Sequence, residues 1–465
     1  MTRIVARPAE LLLLSAALAM MLAAGVGVTL ILLRKREVHL VELYSLSVLF
    51  GGGFVSLASF VFGLAMKGPA LHVLVSAACL SLFVAGGSGL VRGQVRVSWP
   101  KPTGFWPTVL MILALSTAGF VTWLAARTPL GWDGVFVWEF KARIAWLNGG
   151  TMPTTYFSDP TRIWSHPDYP LFLPLSEAWI YGWLGRPHQV LIRVLSPMFY
   201  LAALGLLYRG AQRLGGGPLR AALAPLLLFF VPRLVWGEGS ASSGYADFPL
   251  AVCYLAAVVF LLGHEERGWM EDLRVAGLCA ALLFWIKQDG LVLWGWFALL
   301  SGVALWRHAR RSWLLWICLP GAVLFAAWRL FLWHTHAVLG SAFLPLRMQT
   351  LWTNASRMGT ILLELAKELT AWPRWGFFWP VLGLALLSAA FAPRDRRRLL
   401  ALVAGLVVLP IATDSFIYVF SAWSPFTDHL RTSLPRLLVQ VSLPAVLLLA
   451  TAWPRSSPQR GDELQ

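Results

Sequence analysis

Residues 127–188 read RTPLGWDGVFVWEFKARIAWLNGGTMPTTYFSDPTRIWSHPDYPLFLPLSEAWIYGWLGRPH. This is the longest polar-bearing stretch in a chain that is otherwise mostly hydrocarbon-like. Asp133, Glu139, Lys141, Arg143, Asp159, Arg162, His166 and Asp168 lie here among Trp and Tyr. Joining two helices takes only a few residues. So many ionisable groups in one connection therefore point to a loop that holds an active site, with the apolar runs around it holding a substrate.

Working outward, the composition agrees with a membrane setting. The 465 residues are 58% hydrophobic and only 13% charged, about half the usual charged share of soluble domains. Thirteen runs approach the roughly 20 apolar residues that a span needs. They are 11–33, 41–66, 70–91, 107–126, 188–208, 219–236, 246–263, 273–288, 291–306, 312–333, 375–392, 399–420 and 433–453. The runs are continuous and do not alternate, so an all-α polytopic fold with about 13 transmembrane helices is expected rather than a barrel. Arg3 and Arg7 precede a run from Leu11 to Leu33 that is too long for a signal-peptide core, so it reads as a span.

The net charge of +16 would suggest nucleic acid in a soluble protein. Here the basic residues cluster in short loops: Arg34, Lys35 and Arg36; Arg92, Arg96 and Lys101; Arg209, Arg213 and Arg220; Arg307, Arg310 and Arg311; Arg394, Arg396, Arg397 and Arg398; and Arg455. The positive-inside bias makes that face cytoplasmic. No nucleic-acid partner is expected, and membrane lipids are. Loops 127–187, 237–245, 334–374 and 421–432 then face outward, as does the N-terminus. Trp99, Trp106, Trp123, Trp132, Trp179, Trp183, Trp333, Trp372, Trp375 and Trp379 fall near span ends, where an interfacial belt explains them. Sugar stacking by Trp132 or Trp138 is the alternative. Cys79, Cys253, Cys279 and Cys318 lie inside apolar runs and read as small buried hydrophobes. His334 and His336 are two apart and do not share a helix face.

Within the large loop, Val137, Phe140, Ile144 and Leu147 recur at helical spacing, with Lys141 and Arg143 off that face. This predicts an amphipathic helix lying at the membrane surface, ended by Asn148-Gly149-Gly150. Leu171–Trp183 is a second interfacial candidate. There is no Walker loop and no GxGxxG opening a helix, and no inverted pair of broken spans.

Four constellations fall on the outward side. Asp133 stands in Gly131-Trp132-Asp133-Gly134, either as a reactive acid or as a helix cap. Tyr245-Ala246-Asp247 precedes Pro249 at the start of an apolar run, where an ionisable group is costly unless it has a function. Lys287-Gln288-Asp289-Gly290 sits between two apolar runs, as a turn or as a phosphate site. Asp428-His429 leads to Arg431, Ser433 and Arg436, two outward cations against the charge bias. An outward acid, a second acid nearby and cations placed for phosphate fit glycosyl transfer from a lipid-phosphate sugar. A carboxylate takes a proton from the acceptor hydroxyl, the hydroxyl attacks the anomeric carbon, and cations or a metal stabilise the departing phosphate.

On these residues the chain resembles the GT-C superfamily of integral-membrane glycosyltransferases. It is most similar to the bacterial branch of lipopolysaccharide-core galacturonosyltransferases, aminoarabinose transferases and protein O-mannosyltransferase relatives. The resemblance rests on Gly131-Trp132-Asp133 with Trp138-Glu139-Phe140-Lys141-Ala142, on Tyr245-Ala246-Asp247, on Lys287-Gln288-Asp289-Gly290, and on His429 with Ser433-Leu434-Pro435-Arg436-Leu437-Leu438. It covers 107–453, leaving 1–106 as extra N-terminal helices and 454–465 as a cytoplasmic tail. It implies Asp133 and Asp247 as catalytic acids. It implies Lys141, Lys287, Arg431 and Arg436 as ligands of the donor phosphate. Glu139, His166, Asp168, Tyr169, Tyr245, Asp289 and His429 are further candidates. The implied donor is a polyprenyl-phosphate sugar and the acceptor a hydroxyl of a cell-envelope glycan, lipid or protein. The implied location is the outer face of the bacterial cytoplasmic membrane. Mg²⁺ or Mn²⁺ on Asp133 and Asp247 stays open, because the chain has one acid at Asp133 where some relatives have two. A flippase for a lipid-linked sugar and a surface-polysaccharide polymerase or ligase are the alternatives. The transferase reading requires Asp133, Asp247, Lys287 and Arg436 to converge.

Overall fold

The computed structural model describes residues 7–99, 104–340, 342–389, 391 and 393–452. Arg3, Lys101 and the tail 454–465 with Arg455 lie outside the described residues. The chain opens with α1 (Pro8–Leu32), β1 (Glu37–His39), α2 (Leu40–Gly63), α3 (Pro69–Val91), β2 (Arg96–Ser98) and α4 (Phe105–Arg127). The large connection folds into a π-helical turn at Gly134–Glu139, α5 (Phe140–Leu147), α6 (Thr155–Ser158), a 3₁₀ turn at Pro160–Ser165 and α7 (Phe172–Leu184). Then come α8 (Leu195–Arg213), α9 (Pro218–Phe229), α10 (Pro232–Val235), α11 (Asp247–Arg267), α12 (Met270–Ile286), α13 (Gly290–Trp313) and α14 (Leu319–His334). The last set is α15 (Met348–Asn354), α16 (Arg357–Leu369), α17 (Trp372–Trp375), α18 (Phe378–Ala389), α19 (Arg394–Ile417) and α20 (Phe426–Ala452).

Every one of the thirteen apolar runs meets a helix. Nine helical stretches among the described residues are long and apolar enough to cross a membrane, and Pro218–Phe229, Gly290–Trp306 and Phe378–Ser388 are apolar but shorter. The protein is all-α and multi-pass, and among the described residues nine helical stretches rather than thirteen meet the length and apolarity of a full crossing. Two departures from helix among the described residues are unforeseen: β1 and β2 pair in parallel, Val38 opposite Val97, and Phe343 forms an isolated antiparallel bridge with Ser421.

The apolar stretch of α11 is wholly buried, and α8, α12 and α20 pack around it. α1, α3, α4 and α14 are buried over no more than a third of their apolar stretch; in a bilayer their open apolar faces meet lipid tails. The helices before residue 106 are not peripheral. α1 and α2 pack on α7, and α2 also on α8, while Trp179 Nε1 donates to the Ala17 carbonyl at 3.0 Å.

One end of the bundle is locked by buried charge. Glu42, fully buried, meets Arg213 at 2.6 Å, Arg209 at 3.2 Å and Arg36 at 3.4 Å. Arg36 also pairs with Asp272, and Arg213 approaches that acid at 3.6 Å. Three arginines that read as topological charges are therefore held by acids. They tie the loop before α2 and the start of α2 itself to α8 and α12.

Two expectations for the large loop are corrected. The helix after Asp133 does not bury Val137, Phe140, Ile144 and Leu147 as one face. The buried face keeps helical spacing from Val137 onward, but it follows the packing and takes in Lys141 and two alanines in place of the larger apolar residues. The buried positions from Val137 on are Val137, Trp138, Glu139, Lys141, Ala142 and Ala145, and Leu147 is exposed. The second candidate, α7, is almost entirely buried and does not lie on a surface. Trp179, Trp375 and Trp379 are likewise core residues. Trp138 is fully buried and has no face open to a sugar.

Candidate functional site

At the other end of the bundle, four separate segments deliver charged side chains to one place. Asp133 sits where the chain leaves α4 and enters the π turn. Asp247 begins α11. Lys287 caps α12 in an extended conformation. Gly290 lies so close to the Leu283 carbonyl that a Cβ would collide with it. The tight Lys287–Gly290 turn therefore needs glycine there, and it sets Lys287 and Asp289 side by side. Arg436 comes from α20, one residue after a proline that removes a helix donor.

Arg436 links the two acids. Its Nη2 lies 2.7 Å from Asp133 Oδ2 and its Nε 3.5 Å from Asp247 Oδ2. Lys287 Nζ lies 2.8 Å from Asp247 Oδ1 and 2.6 Å from Asp289 Oδ2. Gln440 Nε2 donates to Asp247 Oδ1 at 2.8 Å and to Asp289 Oδ2 at 3.0 Å. Tyr245 completes the frame: its hydroxyl accepts from the Asp133 amide at 3.1 Å, and the Arg436 guanidinium lies over its ring at 4.9 Å. Asp247 is fully buried, whereas the Asp133 side chain is about a fifth exposed. Asp133 is thus the one of the two acids open to the surface, and Asp247 lies behind it, paired with Arg436 and Lys287.

A second group lies beside this one. Lys141 Nζ donates to the His166 carbonyl at 2.6 Å and rests between the Trp138 and Tyr169 rings. Burial brings the Lys141 pKa down to about 7, against the pull of Asp168 and Asp133. His166 takes a left-handed conformation and stacks on Tyr169 at 4.5 Å; burial, and then the Lys141 charge, lower its pKa. Burial raises the Tyr169 hydroxyl, which also feels Asp289 and Arg436, so Tyr169 joins the two groups. Asp168 is buried with Oδ1 free of any partner among the described residues.

Three sequence candidates go elsewhere. Glu139 is buried against Arg143 and accepts from the Tyr181 hydroxyl at 2.8 Å. Arg431 faces Glu364 at 3.4 Å, at a cavity of about 310 Å³ that Lys367, Glu368 and Arg374 also line. His429 bonds Ser421 Oγ at 2.9 Å and stacks on Trp423 at 4.8 Å. Lys141, fully buried and committed to a carbonyl, has no face toward a donor phosphate as it stands.

Sequence reasoning missed Gln440, Asp414 and Arg233. Gln440 and Asp414 are polar residues inside apolar runs, and that placement was their signal. Asp414 is buried within electrostatic reach of Asp289 and Lys287. Arg233 was absorbed into the run 219–236. As for a metal, no cluster of three or more His, Cys, Asp or Glu is placed to hold one among the described residues. The guanidinium of Arg436 takes the position that a Mg²⁺ or Mn²⁺ shared by Asp133 and Asp247 would need. No protein family, curated protein or solved structure matches the chain.

Proposed function

We propose that this protein transfers a sugar from a polyprenyl-phosphate donor to a hydroxyl acceptor at the outer face of the cytoplasmic membrane. The observation that carries this reading is the convergence of Asp133, Asp247, Lys287 and Arg436 from four distant segments into one ion-paired cluster. Interfacial caps and topology charges have no reason to meet.

In this mechanism Asp133 is the general base. It takes the proton of the acceptor hydroxyl as the new O–C1 bond forms. The bond from C1 to the phosphate oxygen breaks, and its electron pair leaves on the polyprenyl phosphate. Such a base contributes about 10²–10⁴-fold. Asp247 is a positioning residue: it fixes Arg436 beside Asp133 and fixes Lys287 beside Asp289. A lipid donor also explains why the catalyst spans the membrane and needs no nucleotide motif. The test is turnover of polyprenyl-phosphate-linked sugars by the purified protein in liposomes, with acceptor supplied as bacterial envelope lipid or glycan. Release of polyprenyl phosphate supports the reading. Transbilayer movement of the intact donor without release would replace it with the flippase.

A further inference from the structure

The core set is short of positive charge. Asp133, Asp247 and Asp289 face Lys287 and Arg436, three carboxylates against two cations, a formal charge of −1. Both cations are already shared between acids. A phosphate entering here needs donors that the carboxylates have not taken.

Such donors stand next to the cluster. Arg233, on α10, has no ion pair or hydrogen bond among the described residues, and its Nε is buried without a partner. Glu368, Glu238, Arg374 and Asp247 lie within electrostatic reach of it. The backbone that carries Arg233 is fixed relative to Asp247, because α10 is tied to the loop that delivers that acid. The Ala241 amide donates to the Leu234 carbonyl at 3.0 Å, and Ser242 Oγ to the Val235 carbonyl at 2.8 Å.

Between Arg233 and the cluster runs Gly237-Glu238-Gly239. Gly237 and Gly239 have φ of 90° and 79°, a region that L side chains rarely enter. A Cβ at Gly237 would stand 3.0 Å from Arg233 Nη1. One at Gly239 would stand 3.2 Å from Arg436 Cγ and 3.5 Å from Asp247 Cβ. The strap thus touches Arg233 on one side and Arg436 with Asp247 on the other. Among the described residues no acceptor meets the amides of Gly237, Glu238 or Gly239. Successive free amides in a turn with left-handed residues form an anion-binding concavity. Glu238 is exposed, and it and Glu368 are the acids that compete most with an anion at Arg233.

We propose that Arg233 and the amides of Gly237–Gly239 bind the phosphate of the polyprenyl-phosphate donor beside Asp133 and Arg436. This rests on the transferase reading above. Arg431 and Lys141 are not the principal phosphate ligands: one faces Glu364 at a side cavity and the other is enclosed. A phosphate offered by bulk anionic lipid or by solution has the same chemistry, so the test must separate these sources.

The experiment measures affinity with the full-length protein in nanodiscs, reading Trp fluorescence. The probes are a short-chain polyprenyl phosphate, inorganic phosphate, and discs with or without phosphatidylglycerol. Wild type is compared with Arg233→Leu, Arg233→Lys and Asp133→Asn, each checked for an unaltered melting profile. Arg233→Gln replaces Arg233→Leu should that variant fail to fold. The expected result is loss of polyprenyl-phosphate affinity by about tenfold or more in Arg233→Leu, the loss of a charge-assisted bond. Arg233→Lys should be intermediate, and Asp133→Asn should retain binding. Equal affinity in wild type and Arg233→Leu overturns the phosphate site while leaving the transferase reading intact. Arg233-dependent binding of inorganic phosphate or phosphatidylglycerol, with no preference for the polyprenyl phosphate, overturns the donor assignment. No polyprenyl-phosphate binding by wild type overturns the transferase reading as well.

Discussion

Replacing Asp247 by Asn keeps the shape of a fully buried side chain and removes its charge. The acid faces Lys287 at 2.8 Å and Arg436 at 3.5 Å. With an effective dielectric of about 20, those pairs are worth about 6 and about 5 kcal/mol before desolvation is counted. Desolvation of the buried acid offsets most of this, and breaking a buried pair from one side typically costs about 3–5 kcal/mol. We expect a loss of that size in Asp247→Asn, because Lys287 and Arg436 each lose their fully buried counter-charge and keep only the partly exposed Asp289 and Asp133. Lys287→Met should cost a similar amount for the opposite reason. The double variant removes one charge of each sign and should be less damaging than the two singles added together, by about 2–3 kcal/mol. Reversible unfolding in mixed detergent micelles gives all three values and closes the cycle. Strict additivity would refute the reasoning. It would mean that Asp247 and Lys287 do not share a low-dielectric contact.

Three further outcomes are expected. Lys141 has its pKa lowered from the usual lysine range to about 7 by burial, so between about pH 10 and pH 7 the unfolded chain binds a proton that the folded chain refuses; stability falls as pH drops through that window and levels off below about 7. Lys141→Met should flatten that dependence in melting curves taken from pH 7 to pH 10, and parallel curves would contradict the assigned burial. Glu42→Gln leaves Arg36 and Arg213 with Asp272 alone and takes from Arg209 the acid it faces; it should cost about 3–5 kcal/mol, seen as a lower melting temperature and reduced yield without direct harm to the distant site. Gly290→Ala drives a Cβ into the Leu283 carbonyl; a cost of about 1–3 kcal/mol should come with weaker donor turnover, because the turn that sets Lys287 beside Asp289 must open.

The long helices were legible because each is an extended apolar run, and hydropathy needs no knowledge of partners. Much of the site was legible too. Asp133, Asp247, Lys287 and Arg436 are charges beside or within apolar runs, and such charges are costly unless they meet. What the sequence hid was long-range. Lys141 stands four residues after Val137 and shares its buried face, but an apolar-residue count passes over a cation whose partner, the His166 carbonyl, is supplied by packing. Arg36, Arg209 and Arg213 looked like topology signals because their acids, Glu42 and Asp272, are supplied by packing. Arg431 and His429 share α20 with Arg436, but they stand before Pro435 and face other partners. Arg233 was lost inside an apolar run that in fact ends at Phe229 and resumes as the short α10.

The most direct test of the central claim is donor turnover by Asp133→Asn in liposomes, measured as polyprenyl phosphate released per protein, beside wild type with a matched melting temperature. The account predicts a fall of about 10²–10⁴-fold with donor binding retained. Turnover within a few-fold of wild type would contradict it, because the group assigned as the base would then be doing no chemistry.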